Sequence, residues 1–427
     1  MRVLIAAGLL VLWLLVPAAA GELAVGERVV LQPTNPLGVP LHRELRASMF
    51  GRGEDGLGGR VVDLAQEGRW ARVALDDGRE AWIVATYLEP GEAVAPPPDS
   101  DTAAPDPQVV AAVFGSRAGC EQAVAAGDRL PGAAARLRLV TWNIRWFPVG
   151  DPRGTGQETD LAWLACALAW IDPGVVAVEE SLATREADFA WASVLDGVAA
   201  VLGGDWQLDL HECGGERQQH VGFLWDAERV SLTDARDLWQ LNGAAADPGS
   251  PCANNLRPGR GAYVRSLAGG ADFHIVGVHA DSGTKARDFD HRTGALERLD
   301  EVFTELMAHV GDADVIVLGD FNTMGANGRM DASSEIALLA ETVGAEAPGF
   351  RHLAPDLQCT EYFQGACGWL DHVIVTRSMA EAAEAAARVA GYCAVTGGEP
   401  RDELPDAYDR LSDHCPVVVD IVDREFD

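Results

Sequence analysis

Six small groups of polar residues stand directly beside apolar runs in this sequence, and their residue types could bind a hard metal ion and move protons. The groups are Asn143, Glu180, His279, Asp320 with Asn322, Asp371 with His372, and Ser412-Asp413-His414. Glu180 and Asp413 offer carboxylate oxygens of the kind that suit Mg²⁺, which keeps water molecules for a substrate phosphate. His279 and His414 can transfer protons near neutral pH. The two asparagines can orient a phosphate oxygen or a metal ligand without adding charge.

The apolar runs beside these groups predict strands, and the strands explain how residues far apart in sequence could meet. The first four groups follow a run, and the last two precede one. In a mixed sheet the end of one strand and the start of an antiparallel neighbour share an edge, so all six groups can meet at one rim. Singly, such a residue is most often a turn former, a helix cap or a hydrogen-bonded histidine. Six groups in order favour a shared site.

After residue 107 strands alternate with helices, although not as strictly as in a barrel of parallel strands. The predicted strands are Leu137–Trp142, Val175–Val178, Phe273–Val278, Val315–Leu318 and Val417–Val422. The predicted helices are Glu158–Trp170, Ala183–Val201 and a third whose apolar face runs from Phe289 to Leu306. This pattern favours an α+β domain built on a mixed sheet.

Composition and charge limit the possible partners. The 427 residues exceed the usual size of one domain, so we expect at least two. The chain has 33 basic and 65 acidic residues and a formal net charge of −32. This balance argues against a broad electropositive nucleic-acid scaffold. It does not exclude an enzyme that contacts a few phosphates locally with the help of a bound cation.

The first twenty residues have the pattern of a secretory signal peptide: Arg2, an apolar run from Val3 to Val16, and alanines at 18–20. An uncleaved anchor is the alternative, but the run is short for a membrane span of ~20 residues. We therefore expect export, to the periplasm or outside the cell, with no membrane segment after cleavage. All eight cysteines follow residue 119, and their even number suggests disulfides. Only the short Cys359–Cys367 loop suggests one specific pair.

A linker divides the rest of the chain. Residues 91–107 are rich in proline, alanine and acids, which predicts a locally extended, stiff segment. Before it, residues 22–90 contain short β-type runs, at Arg28–Leu31, Arg60–Leu64, Trp70–Leu75 and Glu80–Val84. They predict a small all-β barrel or sandwich, with a larger domain over residues 108–427.

Six motifs of the larger domain resemble the endonuclease/exonuclease/phosphatase superfamily, which has the deoxyribonuclease I-like fold. They are WNIRWF (142–147), AVEES (177–181), GVHADSG (277–283), LGDFNT (318–323), LDHVIV (370–375) and LSDHCPV (411–417). The resemblance implies a four-layered α/β sandwich, so that the α+β chain would be this sandwich preceded by the small β domain. It also implies hydrolysis of a phosphoester by an activated water with Mg²⁺, or with Mn²⁺ or Ca²⁺ in its place.

The same resemblance implies roles for residues at the metal and at the second histidine. Glu180 would be the principal metal ligand, with Asn143 beside it. Asp413 would support the metal or His414. His414 would be the general base or a phosphate contact, held by Asp371. Such roles match phosphoryl transfer, in which positioning and electrostatics dominate.

On the substrate side, His279 would be the other histidine at the scissile phosphate. Asp320 and Asn322 would orient the water and stabilise the transferring phosphoryl group. Arg145 lies in the WNIR segment, which is similar to the deoxyribonuclease-like branch. Arg145 and Arg257 would contact substrate phosphate.

Two positions depart from the family pattern near the acidic and histidine groups. Gln219 stands where related enzymes carry a glutamate that orients the first histidine, and a glutamine cannot stabilise an imidazolium by charge. Either His279 works as the neutral ring, or the alignment is shifted by one or two residues. Glu179 stands where the superfamily usually has glutamine.

Three basic residues have two interpretations each. Arg260 competes with Arg257 for the phosphate-contacting position. Lys285, the only lysine of the chain, and Arg292 could touch a substrate phosphate or be ordinary loop charges.

The N-terminal segment GRWARVALDDGREAWIVATYL (68–88) resembles the bacterial Src-homology-3-like module. The resemblance covers residues 22–90 and implies a docking domain for cell-wall peptide or another protein. Trp70 and Trp82 would then be either a ligand platform or simply core residues.

These observations favour an exported Mg²⁺-dependent phosphodiesterase, a nuclease acting on DNA or RNA. One alternative keeps the fold and changes the substrate to a phospholipid, as in sphingomyelinases, or to a phosphomonoester, because fold does not choose between them. A further alternative is a non-catalytic cell-envelope binding protein with a decayed site.

Overall fold

The computed structural model describes residues 28–31, 39–42, 49–53, 58–65, 69–75, 80–90, 105–132, 135–152, 157–244, 246–345 and 348–426. The chain divides into two units, residues 1–99 and 100–427. The predicted signal peptide (1–20) and most of the predicted linker (91–104) lie outside the described residues. Within the described part of the chain, no helix is long and apolar enough to cross a membrane.

The described residues of the first unit form an antiparallel sheet and one 3-10 turn at Ala85–Tyr87. Its strands are β1 (Arg28–Leu31), β2 (Val39–His42), β3 (Met49–Gly53), β4 (Gly58–Ala65), β5 (Trp70–Leu75), β6 (Glu80–Val84) and β7 (Leu88–Pro90), in the order β3-β2-β6-β5-β4-β1-β7. Alternate residues such as Val29 and Leu31, or Ala71 and Val73, form its buried core, as the two-residue period of a strand requires. The described residues of this unit are mainly β, as predicted, and its likeness to the Src-homology-3 module stays a prediction.

The second unit alternates strands and helices. Its strands are β8 (Arg136–Phe147), β9 (Val175–Ser181), β10 (Trp206–Leu210), β11 (His220–Asp226), β12 (Val230–Leu238), β13 (Gly259–Ser266), β14 (Asp272–His279), β15 (Val315–Asp320), β16 (Phe350–His352), β17 (Glu361–Phe363), β18 (Ala366–Gly368), β19 (Asp371–Thr376), β20 (Ala387–Val389) and β21 (Val417–Val422). Its helices are α1 (Pro107–Gly115), α2 (Arg117–Ala125), α3 (Leu161–Ile171), α4 (Arg185–Leu202), α5 (Ala286–Leu296), α6 (Leu299–His309), α7 (Ala332–Ala345), α8 (Tyr392–Thr396) and α9 (Asp406–Arg410).

Most of these strands form two six-stranded sheets with the same plan. The orders are β10-β11-β9-β8-β21-β20 and β12-β13-β14-β15-β19-β16. Each sheet has one parallel pair near its centre, β8 with β9 and β14 with β15, and its other pairs are antiparallel. A parallel pair needs a crossover connection, which α3 provides in the first sheet and α5 with α6 in the second. Because these two pairs are parallel, β8 and β9 end at the same edge of the first sheet, and β14 and β15 end at the same edge of the second sheet.

The packing forms four layers. Ile275 and Ile316 belong to the core that joins the two sheets, together with residues of the helices on the first sheet such as Trp163. Their chain neighbours Val276 and Val317 face the other way and pack with α6 and α7. The alternation arises because successive residues of a strand point to opposite faces. The layers are therefore helix, sheet, sheet and helix, the α/β sandwich that the motifs implied.

Two predictions about local structure have different outcomes. The apolar face from Phe289 to Leu306 spans two helices, α5 and α6, because the chain leaves the helix at Glu297 and Arg298. The pairing of Cys359 with Cys367 is confirmed. Three other disulfides, Cys120–Cys166, Cys213–Cys252 and Cys393–Cys415, account for the remaining cysteines.

Candidate active site

Strand register sets the centre of the site. His279 is the last residue of β14 and lies opposite Asp320 at the end of β15. Asp320 in turn lies opposite Asp371 at the start of β19. Residues directly opposite each other in neighbouring strands carry their side chains on the same face. The second sheet therefore presents a histidine and two carboxylates side by side.

The first sheet brings Asn143 and Glu180 to the same place. The register of β8 against β9 shifts after Asn143, where β8 bulges. Glu180 has φ +62° and Arg145 and Trp146 have φ +43° and +50°, and such backbone is uncommon for side chains of this size. In this conformation the Trp146 N–H donates to Glu180 Oε2 at 3.1 Å. The bulge thus aims the Glu180 carboxylate at the rim.

Asp320 links the two sheets. Its Oδ2 accepts a hydrogen bond from Asn143 Nδ2 at 3.0 Å, and its Oδ1 accepts one from the Asn322 N–H at 2.9 Å. The Nε2 atoms of His279 and His414 lie 3.6 and 3.8 Å from Asp320 Oδ2. Glu180 Oε1 lies 3.7 Å from the same nitrogen of His279. One carboxylate is therefore within reach of both histidines.

His414 is held from several directions. Its Nδ1 lies 2.9 Å from Asp371 Oδ2, in hydrogen-bond contact. The Ser412 hydroxyl donates to the Asn143 carbonyl at 2.6 Å and accepts from the His414 N–H at 3.0 Å. The next residue, Cys415, is in a disulfide with Cys393. These contacts fix the ring between Asp371 and Asp320.

Burial and mutual repulsion change the acidity of the carboxylates. Burial, followed by the charge of Asp413, raises the pKa of Glu180 to about 7. Burial also raises the pKa of Asp320 to about 6, with a contribution from Asp371. Glu179, which is fully buried and accepts from the Thr141 hydroxyl at 2.9 Å, has a pKa well above its usual value because of burial. The burial of Glu179 therefore favours its neutral, protonated form.

The two histidines shift in opposite directions. Burial lowers the pKa of His279 well below 6.5, and the neighbouring Arg257 charge lowers it further. Burial alone would also lower the pKa of His414, but Asp371 and Asp320 hold it well above 6.5. His279 is therefore neutral and His414 cationic near neutral pH. That His279 works as the neutral ring stays a prediction.

The donor set fits a hard divalent cation. Burial, followed by the charges of Asp413 and Asp320, raises the pKa of Glu180, and a cation bound at Glu180 would relieve that repulsion. Ligand atoms of Asp320, Asp371 and His414 also lie within 4.8 Å of one another and could hold a metal. In this second set, however, His414 Nδ1 is hydrogen-bonded to Asp371 and the ring is cationic, so we favour the carboxylate set around Glu180.

Of the residues predicted to contact substrate, Arg257 and Asn322 lie beside His279, whereas Arg145 is turned elsewhere. Arg257 reaches the rim, because its Nη2 donates to the carbonyl of Ala280, next to His279, at 3.0 Å. Asn322 donates through Nδ2 to the same carbonyl at 3.2 Å. Arg145 is placed differently from the prediction. The residue is 3% exposed, and its guanidinium donates to the Tyr408 and Asp409 carbonyls at 2.5 and 2.6 Å, so a phosphate contact would require it to leave both carbonyls.

Two of the other basic residues are held in ion pairs. Arg260 forms hydrogen-bonded ion pairs with Asp209 and Asp237, which leaves Arg257 as the rim arginine of the two. Arg292 is buried in a two-bond pair with Glu335, at 2.7 and 2.9 Å. It is a structural residue rather than a loop charge. Lys285 is exposed at the start of α5.

Gln219 does not orient the first histidine. The Nδ1 atom of His279 is buried and has no hydrogen-bond partner among the described residues, and Gln219 lines a neighbouring cleft instead. His211 also contributes to lowering the pKa of His279, after burial, Arg257 and His414. Its Nδ1 accepts from the Val221 N–H at 3.0 Å, so its ring is held as the neutral form.

Glu361 is a site carboxylate that the sequence did not indicate. It lies opposite His414 in an isolated antiparallel bridge, so its side chain shares the face of His414. Burial raises its pKa to about 8, and Asp413 adds to the shift. Gly368 on the paired strand leaves it room, since a Cβ there would lie 3.1 Å from Glu361 Oε2. The one available signal was its position between Cys359 and Cys367.

Comparison with known proteins gives structural matches only. No protein-family model matches the chain, and no curated protein does. An endonuclease/exonuclease/phosphatase from Bacteroides vulgatus is similar in structure with a TM-score of 0.46 and 16% identity, over 67% of this chain and 98% of that one. D. rerio TDP2 complexed with single-strand DNA product gives 0.44 and 17%, over 67% and 99%. A Bacteroides thetaiotaomicron mannosyl-6-phosphatase gives 0.45 and 16%, over 67% and 99%. The chain is thus similar to solved structures that include endonuclease/exonuclease/phosphatase proteins, the family its motifs resemble.

Proposed function

We propose that the second unit is a divalent-metal-dependent phosphodiesterase whose substrate is a nucleic acid, DNA before RNA. The observation that carries the proposal is the arrangement around Asp320, where two histidines and a second carboxylate, Glu180, lie within 4 Å of its side chain or of each other. Phosphoester hydrolysis needs such a combination of proton carriers and charge. The choice of nucleic acid rests on the WNIR motif and on the single guanidinium of Arg257 at the rim.

The metal would be held by Glu180, with Asn143 and Asp413 beside it. Mg²⁺ fits this oxygen-only set, and Mn²⁺ or Ca²⁺ could take its place. When bound, the cation supplies positive charge to the phosphate and to the attacking water. Two hydrogen bonds hold the Asn143 side chain beside Asp320: its Nδ2 donates to Asp320 Oδ2, and its Oδ1 accepts from the Arg145 N–H.

The protein residues would divide the remaining work. Of its two predicted roles, His414 fits the phosphate contact, because Asp371 keeps its ring cationic and able to donate. Asp320 and Asn322 orient the attacking water, and neutral His279 can accept its proton. Arg257 places a second positive charge beside the phosphate. The side chains of His279 and Asp320 are both almost fully buried and thus shielded from bulk water.

Export and docking complete the proposal. The signal-peptide pattern motivates export to the periplasm or the medium, and four disulfides support an oxidising compartment. The first unit would dock the enzyme to cell-wall peptide or to a protein. Neither property decides the chemistry of the rim.

Nicking of supercoiled plasmid by the purified chain, with its disulfides intact, tests the function. We expect nicking with Mg²⁺, none in excess EDTA, and a loss of about 10³-fold in His414→Ala because a proton-transferring or phosphate-contacting group is removed. His309→Ala, an exposed histidine at the end of α6, is the matched control. Hydrolysis of sphingomyelin vesicles or of a phosphomonoester that is faster than hydrolysis of DNA would show that the substrate is not a nucleic acid. Absence of all hydrolysis, with binding to cell-wall material intact, would favour the non-catalytic alternative.

A further inference from the structure

A polar cleft of about 700 Å³ opens beside the rim. Its walls come from the loop before β11, the loop before β13 and the start of α5. Trp146 and Arg257 belong to both the cleft and the rim: the Trp146 N–H donates to Glu180, and Arg257 donates to the Ala280 carbonyl. A substrate phosphate at the rim would therefore have its neighbouring group in this cleft.

The cleft concentrates positive charge in an acidic chain. Arg217, Arg257 and Arg287 line it against one carboxylate, Asp281, which contacts His291 at 2.7 Å, although the chain as a whole has a net charge of −32. Arg217 and Arg287 are exposed, and Arg217 has no ion-pair partner among the described residues. Arg287 pairs with Asp288 at 2.8 Å. Guanidinium groups in this setting suit phosphate, which they bind through two parallel hydrogen bonds.

Side-chain amides supply the second kind of group. Gln219 and Asn254 line the cleft, and neither side chain has a hydrogen-bond partner among the residues that the structure describes. Amides can donate and accept together, which allows them to pair with the edge of a nucleobase. Trp146, which is partly exposed, offers an aromatic face on which a base can stack. An acyl chain would find few partners on these walls.

The two loops that carry the amides are fixed to each other. Cys213 and Cys252 join them through a disulfide, and Gln218 Nε2 donates to the Asn255 side-chain oxygen. A second hydrogen bond, from the Gly215 N–H to Gln218 Oε1 at 2.8 Å, holds the first loop. A cleft that is already formed loses little conformational freedom on binding.

We propose that this cleft binds the nucleotide adjoining the scissile phosphodiester of a single-stranded nucleic acid. Its phosphate would lie against Arg217 and Arg287, and its base against Trp146 and the amides of Gln219 and Asn254. Because the base must leave its stack to enter, single strands or frayed ends are favoured over intact duplex. A volume of about 700 Å³ falls in the range of small-ligand pockets. The inference rests on the proposed function and deepens it.

The test compares a short single-stranded oligonucleotide with bis-p-nitrophenyl phosphate, a small diester that has no neighbouring nucleotide. In Arg217→Ala/Arg287→Ala, we expect the ratio of kcat/KM for the oligonucleotide to that for the small diester to fall at least about tenfold. The slope of log KM for the oligonucleotide against log salt should also decrease by about 1.4, since each single-strand phosphate contact contributes about 0.7. Arg185→Ala/Arg265→Ala, which removes two exposed charges elsewhere, should change neither.

A second pair of variants tests the amides. Gln219→Ala and Asn254→Ala should change which base is preferred beside the cut, measured as relative kcat/KM for oligonucleotides that differ only at that base. If the parent enzyme cleaves both substrates and the double arginine variant matches its control, the cleft inference is wrong and the proposed function stands. If the parent cleaves neither diester, the proposed function itself has failed. A loss confined to phospholipid vesicles would show that the cleft binds a lipid headgroup and would overturn the inference.

Discussion

His279 and His414 occupy two halves of one site, and their surroundings differ more than their positions do. His414 has a carboxylate at Nδ1, 2.9 Å away, and a second one facing Nε2. His279 has carboxylates only on its Nε2 side, and its buried Nδ1 has no partner among the described residues. Burial lowers the pKa of His279, and among the neighbouring charges that of Arg257 lowers it most.

The comparison shows that the partners of a histidine decide its chemistry. Both rings are almost fully buried, and burial alone would make both neutral. Asp371 reverses this outcome for His414, whereas Gln219 lines the cleft and leaves His279 without a carboxylate at Nδ1. One site can therefore contain a donor and an acceptor at the same pH.

Different residues hold the two halves in place. The largest expected effect, on the free energy of unfolding, comes from the residues that support the His279 half. Arg292 donates to the carbonyls of Asp281, Gly283 and Gly325 and pairs with Glu335. Glu335→Gln leaves this buried cation without a counter-charge, so the free energy of unfolding should fall by about 3 kcal/mol. Urea unfolding measures the loss, with the exposed Glu341→Gln on the same helix as control. Equal stability of both variants would show that the carbonyls alone hold Arg292.

Asp371→Asn should bring the pKa of His414 closer to that of His279. Since the charge of Asp371 raises the pKa of His414, the variant lowers that pKa, and activity that needs the imidazolium is lost at lower pH. We expect kcat/KM to fall by about 10²-fold at pH 8 and the alkaline limb of the pH profile to move to lower pH. Asp188→Asn, an exposed aspartate of α4, is the control. An unmoved alkaline limb would contradict the assignment of a cationic His414.

The carboxylates between the halves should make metal binding depend on pH. Glu180 has a pKa of about 7 and Asp320 of about 6 without a cation. As pH falls below 7, protons compete with the metal, so Mg²⁺ affinity should fall by up to about tenfold per pH unit. Isothermal titration calorimetry in buffers of different ionisation enthalpy measures both the affinity and the released proton. Binding without proton release at pH 6.5 would place the metal elsewhere.

Substitution of Glu361, which lies on the His414 side of the site, should give the smallest effect of the four. Its pKa of about 8 means that it is mostly neutral below pH 7 and charged above pH 9. The charged form repels an anionic substrate, so Glu361→Gln should lower KM about threefold at pH 9 and have little effect at pH 6. Steady-state kinetics at the two pH values measures the difference. A variant that loses activity at both values would instead give Glu361 a role in holding His414.

Local patterns in the sequence were sufficient for much of the fold and for the residues around Asp320. Val417–Val422 and the β5 and β6 bounds are as predicted, because apolar runs between turn residues mark strands directly. Helix starts were less accurate: α3 begins at Leu161, after its cap Asp160, rather than at Glu158. The side chain of Asp160 accepts from the Trp163 N–H, and that contact sets the boundary.

Residue types and strand ends were thus determined by the sequence itself, since hydrophobic period and turn chemistry are local properties. Only the tertiary structure decided which partners those residues meet. Arg145 is turned to the carbonyls of Tyr408 and Asp409, more than 260 positions away in the chain. Glu361 lies opposite His414 in an isolated β-bridge, which no periodic pattern of the sequence predicts. The protonation state of each buried group follows from such contacts, because desolvation and neighbouring charge depend on distance in space and not on distance along the chain.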